Sequence, residues 1–176
     1  MKLIPGIIGV YNHIGQDCII TIVNTLIMQL SLTLTKFQAM RMIYHAQHAL
    51  PNEACGLLGG KSGHVSTVYP GSNSEDSPTR YLLNPIDQWN AMKTIDTSGE
   101  DLIGIFHSHP KGLAIPSETD ITQAYYPQAT YIILARYNDT EWYMRGYNLA
   151  KGKIKEITMQ ILTIQSDTLG QFTRSH

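Results

Sequence analysis

Cysteine is scarce in this chain: Cys18 and Cys55 are the only two in 176 residues, and they form no Cys-x-x-Cys pair. That argues against a disulfide framework and for a reducing cytoplasm. Charge of one sign is also lacking. Thirteen Lys and Arg stand against fourteen Asp and Glu, for a formal net charge of −1, and no basic stripe is interleaved with aromatics. A dedicated nucleic-acid binder needs clustered cations, and a polybasic membrane anchor needs them too, so neither nucleic acid nor membrane is an expected partner. Long hydrophobic runs are missing as well. Ile19 to Leu30 is apolar, but Thr21, Asn24, Thr25 and Gln29 interrupt it, and it falls short of the ~20 residues that span a bilayer. Lys2 is the only early Lys or Arg, and Met28-Gln29-Leu30-Ser31 offers no Ala-x-Ala cleavage site, so no signal peptide is read. The expectation is a cytoplasmic protein whose residues 1–30 form an extension of unknown role, with Met28 an alternative start. No internal repeat or low-complexity tract occurs.

What is present fits one ordinary domain, long enough to bury about two-thirds of its unfolded surface. Such a domain needs no metal staple for stability, so a metal site in it would serve function. A helix capped by Thr33 or Thr35 is expected to run to about Leu50, with Phe37, Met40, Ile43, Tyr44 and Leu50 on one side and Gln38, Arg41 and His45 on the other. Pro51 and Asn52 stop it. Ala54–Gly59 and His64–Tyr69 read as two strands joined by Gly60-Lys61-Ser62-Gly63. A polar loop follows from Pro70 to Thr79, then a short strand at Arg80–Leu83. Pro85 opens a helix to about Thr97, which Gly99 ends.

Leu102–Phe106 is a continuous apolar run, as in a strand covered on both faces. Lys111 to Pro116 reads as a loop, and Ser117 to about Tyr125 as a short helix closed by Pro127. Thr130–Ala135, Glu141–Asn148 and Lys153–Leu162 complete the strands, with turns at Asn138-Asp139 and Lys151-Gly152. The class is α/β or α+β: a single mixed β-sheet flanked by helices, spanning residues 31–162, with a polar tail from 163 to 176.

The segment that carries chemistry is His107-Ser108-His109-Pro110, followed by Pro116-Ser117-Glu118-Thr119-Asp120. Residues i and i+2 of a strand share a face, so His107 and His109 project side by side. Asp120, in the first turn of the next helix, can swing back as a third ligand. Two imidazoles and one carboxylate suit zinc, one ion per chain, and leave a fourth position for water, as in a catalytic site. Glu53, between the first helix and the Ala54 strand, is the candidate base. Taken singly these signals are weak. A strand can expose two histidines without a metal, and Ser117-x-x-Asp120 is also a capping-box pattern. For Asp120 the capping and ligand readings compete.

Together, Glu53, His107-Ser108-His109-Pro110 and Pro116-Ser117-Glu118-Thr119-Asp120 resemble the JAMM (MPN+) metalloprotease motif at every defining position. The stretch from Leu50 to Gly60, Asn73 through Tyr81 and Leu83-Asn84-Pro85 are similar to the bacterial branch. The resemblance implies a cytidine-deaminase-like architecture, His107, His109 and Asp120 as zinc ligands, and Glu53 as general acid/base. It also implies Ser117 as hydrogen-bond donor to the substrate oxyanion. As substrate it implies a ubiquitin-like sulfur-carrier protein ending in Gly-Gly, or another peptide-tailed protein. Deamination is disfavoured, because His-x-Glu with Pro-Cys-x-x-Cys is absent.

Rival readings remain. A metal-free MPN scaffold would hold partners without catalysis, but such proteins typically lack the ligands. A DNA-associated role meets a near-neutral charge, and peptidoglycan hydrolysis on the phage pattern would need a second domain. Cys55 as nucleophile competes with a buried, inert thiol. Ser108 faces away from the two histidines, and His45, His48 and His64 have no ligand partner at suitable spacing.

Overall fold

The computed structural model describes residues 31–163; the expectations for residues 1–30 and for the tail beyond lie outside the described residues. The elements in chain order are β1 (Ser31–Thr35), α1 (Lys36–Ala49), β2 (Cys55–Lys61), β3 (His64–Gly71), α2 (Pro85–Thr97) and β4 (Asp101–His109). After them come α3 (Glu118–Thr122), β5 (Thr130–Arg136), β6 (Trp142–Asn148), a 3-10 turn (Ala150–Gly152) and β7 (Lys155–Leu162).

The strands form one mixed sheet in the order β1-β3-β2-β4-β5-β6-β7, flanked by helices. The sheet curls until β7 pairs with β1 in parallel, Ser31 opposite Thr158 and Thr35 opposite Leu162, and so closes on itself. β1 was not anticipated. Thr35 does cap α1, as expected, but the residues before it are extended, with Leu32 and Leu34 in the core. Two further expectations are corrected. Arg80–Leu83 is no strand and makes only the isolated bridge Asn73–Leu83, because the Asn73 side chain takes the Leu82 N–H that a ladder would use. α3 ends at Thr122, well short of Tyr125 and Pro127.

β4 sits between antiparallel β2 and parallel β5 and is covered on both faces, as its apolar run implied. Phe106 enters the core shared with α1, while Ile105 enters the core shared with α2. The close packing requires Gly56, where a Cβ would meet the Phe106 ring and the Tyr69 carbonyl oxygen at 2.4 Å. The β2–β3 turn uses Ser62 (φ 51°) and Gly63 (φ 75°), left-handed positions suited to a tight hairpin.

The buried face of α1 differs from the expected one. Ala39, Met42 and Ala46 meet the core and Ile43 packs against it as expected, whereas Phe37 (73%), Met40 (57%) and Tyr44 (63%) are exposed. Size explains the difference. Small alanines let the helix backbone settle close to the sheet, and the larger side chains are left on the outer face. His45, expected outward, is half-buried with Nε2 3.1 Å from the Gly71 carbonyl oxygen. Ala46→Leu should therefore overpack and cost about 1–3 kcal/mol, while Met40→Gln should change stability by less than about 0.5 kcal/mol. Urea unfolding measures both, and a larger loss at Met40 would contradict this orientation.

Candidate metal centre

β4 delivers two imidazoles to one point. His107 and His109 lie two residues apart at its C-terminal end, and their Nε2 atoms stand 3.0 Å from each other. The next helix, α3, delivers the carboxylate: Asp120 Oδ1 is 3.2 Å from His107 Nε2 and Oδ2 is 3.5 Å from His109 Nε2. Two ligands bound at about 2.0–2.1 Å to a tetrahedral ion are separated by about 3.3 Å. The Nε2–Nε2 separation and the nearest carboxylate contact of each imidazole straddle that value, the two contacts using different Asp120 oxygens, so the three groups could hold a zinc-sized ion. His107 is fully buried and Asp120 is buried.

The histidines are held differently. His109 Nδ1 lies 2.8 Å from the Leu113 carbonyl oxygen, which can only accept. In the neutral ring, Nδ1 therefore carries the proton and Nε2 keeps its lone pair for a metal. His107 Nδ1 is buried with no hydrogen-bond partner among the described residues. Burial pushes the His107 pKa down, towards the neutral form that a ligand needs, with Asp120 opposing. At His109 burial acts in the same direction, but the bonds to Asp120 and Leu113 outweigh it and raise the pKa. Burial would raise the Asp120 carboxyl, yet its bonds with both imidazoles hold it well below the usual carboxylate range.

At Asp120 the capping reading holds, and it leaves room for the ligand reading. Its Oδ2 accepts from the Ser117 N–H and from the Ser117 hydroxyl, each at 2.7 Å, while the Asp120 N–H donates to Ser117 Oγ at 3.2 Å. That is a complete capping box. The Oδ1 atom stays turned to His107. A carboxylate has about four acceptor sites, enough for both tasks.

Glu53 precedes β2 and is only 4% exposed. Ser108, on the opposite face of β4 from the histidines, anchors this region: its hydroxyl accepts from the Ala54 N–H at 2.9 Å and its N–H donates to the Ala54 carbonyl at 3.0 Å. Burial raises the Glu53 pKa to about 7, with His109 lowering it and Asp120 raising it. Glu53, His109, Ser117 and Asp120 line one cleft of about 290 Å³, with Pro78 to Tyr81, Lys111 and Gly112 among its other walls. Cys55 is fully buried, and burial pushes its thiol up to about 12, which silences it as a nucleophile.

All five candidate residues thus converge, and the described residues contain one group of His, Cys, Asp and Glu able to hold an ion: His107, His109 and Asp120. The structure adds residues to which no role had been given. Tyr81 stacks on His107, and Asn73 binds the Glu53 backbone. Both sit in a stretch that composition marks only as loop. The similarity of that stretch to the bacterial branch was the one signal pointing to them.

Comparison with known proteins adds independent findings. Residues 38–145 match the model of prokaryotic homologs of the JAB domain. The chain is 31% identical over 123 residues to the CysO-cysteine peptidase of Mycobacterium tuberculosis, covering 69% of this chain and 84% of that protein. It is 35% identical over 98 residues to desampylase of Haloferax volcanii, covering 52% and 70% respectively. A solved structure from Desulfitobacterium hafniense is similar with a TM-score of 0.69 at 34% identity, over 77% of this chain and 95% of that one.

Two expected outcomes test the centre. His107→Ala and Asp120→Ala should each lose most bound zinc, measured by elemental analysis after dialysis. Asp120→Ala should also destabilise the metal-free protein by about 1–3 kcal/mol, because the Ser117 N–H loses its acceptor and the capping box its side-chain half, whereas His107→Ala leaves the capping box intact. An Asp120→Ala protein that kept its zinc would leave the capping role alone standing.

Proposed function

The chain belongs to the prokaryotic JAB-domain family, the bacterial branch of the JAMM/MPN proteins, and from that premise we propose that it is a zinc-dependent peptidase acting on the tail of a ubiquitin-like carrier protein. Hydrolytic activity is shared by named relatives, one a peptidase of CysO-cysteine and another a desampylase. The observation that carries the metal reading is the meeting of His107 and His109, Nε2 atoms 3.0 Å apart, with the Asp120 carboxylate, which reaches one with Oδ1 at 3.2 Å and the other with Oδ2 at 3.5 Å, beside the cleft that Glu53 also lines. Residues 31–162 are the unit proposed to carry the activity.

His107, His109 and Asp120 would hold the ion. Zinc bound there supplies Lewis acidity and brings the pKa of a water to about 7. Glu53 is the proton carrier of the site. A buried carboxylate lining the same cleft can take a proton from the attacking water and return it to the leaving amine. Ser117 needs a change to serve as oxyanion donor. Its single hydroxyl proton is committed to Asp120, so donation to substrate requires the hydroxyl to rotate. The Ser117 N–H also binds Asp120 Oδ2, so the ligand carboxylate keeps a tether when the hydroxyl leaves.

The substrate reading rests on cleft shape and on the relatives. A cleft of this volume admits an extended tail of small residues such as Gly-Gly better than a folded surface. Ordering that tail costs about 1–2 kcal/mol per residue, which a folded body docked beside the cleft can offset. Among the described residues no helix is long and apolar enough to cross a membrane.

Glu53→Gln should keep metal and fold but lose about 10²–10⁴-fold in kcat, because proton transfer alone is removed; Cys55→Ser should stay active. An inactive, folded, metal-loaded Cys55→Ser would revive the thiol mechanism. For substrate, a ubiquitin-fold carrier extended beyond its Gly-Gly terminus should be cut after the second glycine, far faster than the same extension on a bare peptide. Equal turnover of the two would refute the carrier reading and leave the peptidase reading intact.

A further inference from the structure

His107 and His109, the two histidines read as ligands, are supported differently. Metal-binding histidines nearly always donate the remote ring N–H to a carbonyl, carboxylate or water, which fixes the orientation of the ring. His109 follows that rule through Leu113, but the buried Nδ1 of His107 has no partner among the described residues. What His107 has is an aromatic face. The Tyr81 ring lies on its imidazole with centroids 4.5 Å apart and planes 20° from parallel, a stacked pair.

Tyr81 is itself gripped from both sides by one side chain. The Asn73 carboxamide donates to the Arg80 carbonyl and accepts from the Leu82 N–H, each at 3.0 Å, so the residues before and after Tyr81 are both bound. Its second N–H donates to the Glu53 carbonyl at 3.0 Å, and its oxygen also accepts from the Glu75 N–H. The Glu53 N–H in turn donates to the Ser77 carbonyl at 2.9 Å. Both backbone groups of Glu53 are therefore tied to the loop that carries Tyr81. The Ser74–Leu82 and Asn84–Ser72 backbone bonds close that loop against β3.

We infer that Tyr81 and Asn73 are positioning residues of the metal centre: Tyr81 orients His107 by ring stacking, and Asn73 locks Tyr81 and Glu53 into one frame. The inference rests on the metal reading of the site. It gives the loop between β3 and α2 a task beyond lining the cleft, since the loop fixes one ligand and the base together. Because the contact is through the ring face, the hydroxyl of Tyr81 is dispensable for it and the aromatic plane is not.

The test is Zn2+ affinity by chelator competition on the full chain, with the melting temperature of the metal-free proteins alongside. Tyr81→Leu should weaken Zn2+ binding by about 10–100-fold, while Tyr81→Phe should remain within about threefold of wild type. A merely structural role would lower both melting temperatures without moving affinity. Equal affinity in Tyr81→Leu and wild type overturns the inference, as does an equal loss in Tyr81→Phe, which would place the effect in the hydroxyl. If Tyr81→Leu does not fold, Asn73→Asp serves, since it keeps both accepted bonds and loses both donated ones. It should weaken Zn2+ binding and lower kcat with KM unchanged; unaltered affinity and kcat overturn the inference. Wild-type protein that binds no Zn2+ would instead sink the metal reading itself.

Discussion

The Asp120 carboxylate is the hinge of the whole arrangement. One of its oxygens is held by the Ser117 N–H and hydroxyl at the start of α3, and the other faces the imidazole of His107. A five-residue helix has little stability of its own, since nucleation fixes several residues for few hydrogen bonds. Its capping box supplies what length does not. The same bonds that start the helix therefore aim the carboxylate, and its placement beside the two histidines depends on a local folding motif.

Around that hinge the sheet supplies rigidity. β4 is paired on both edges and buried on both faces, so the two histidines leave a strand with little freedom to move. Ser108, between them, faces the other way and holds Ala54, which fixes the approach of Glu53 from the neighbouring chain segment. Consecutive residues of one strand thus position the two imidazoles on one face and the backbone beside Glu53 on the other.

Much of this was legible in the sequence, for definite reasons. Strand alternation put His107 and His109 on one face, and Pro116-Ser117-x-x-Asp120 marked the next helix start. The apolar run before His107 identified a doubly covered strand. Less legible were features set by the fit between elements. β1 is too short to announce itself and is defined by its pairing with β7. The outward face of α1 is richer in large apolar side chains than the inward one, because the core there accepts alanines. Asp120 looked like a choice between cap and ligand, since spacing counts residues and cannot count the acceptor sites of a carboxylate. Asn73 and Tyr81 lie in a segment without periodicity, and their bonds to Glu53 and His107 exist only once β3 and α2 have brought the loop over the cleft.

The claim on which the account turns is that hydrolysis runs through a single metal held by His107, His109 and Asp120. Its most direct measurement is reconstitution: chelator-stripped protein titrated with Zn2+ while cleavage of a Gly-Gly-extended carrier is followed. Activity should rise in proportion to added metal and level off at one equivalent per chain. Full activity in the stripped protein, or a titration with no break at one equivalent, would contradict it.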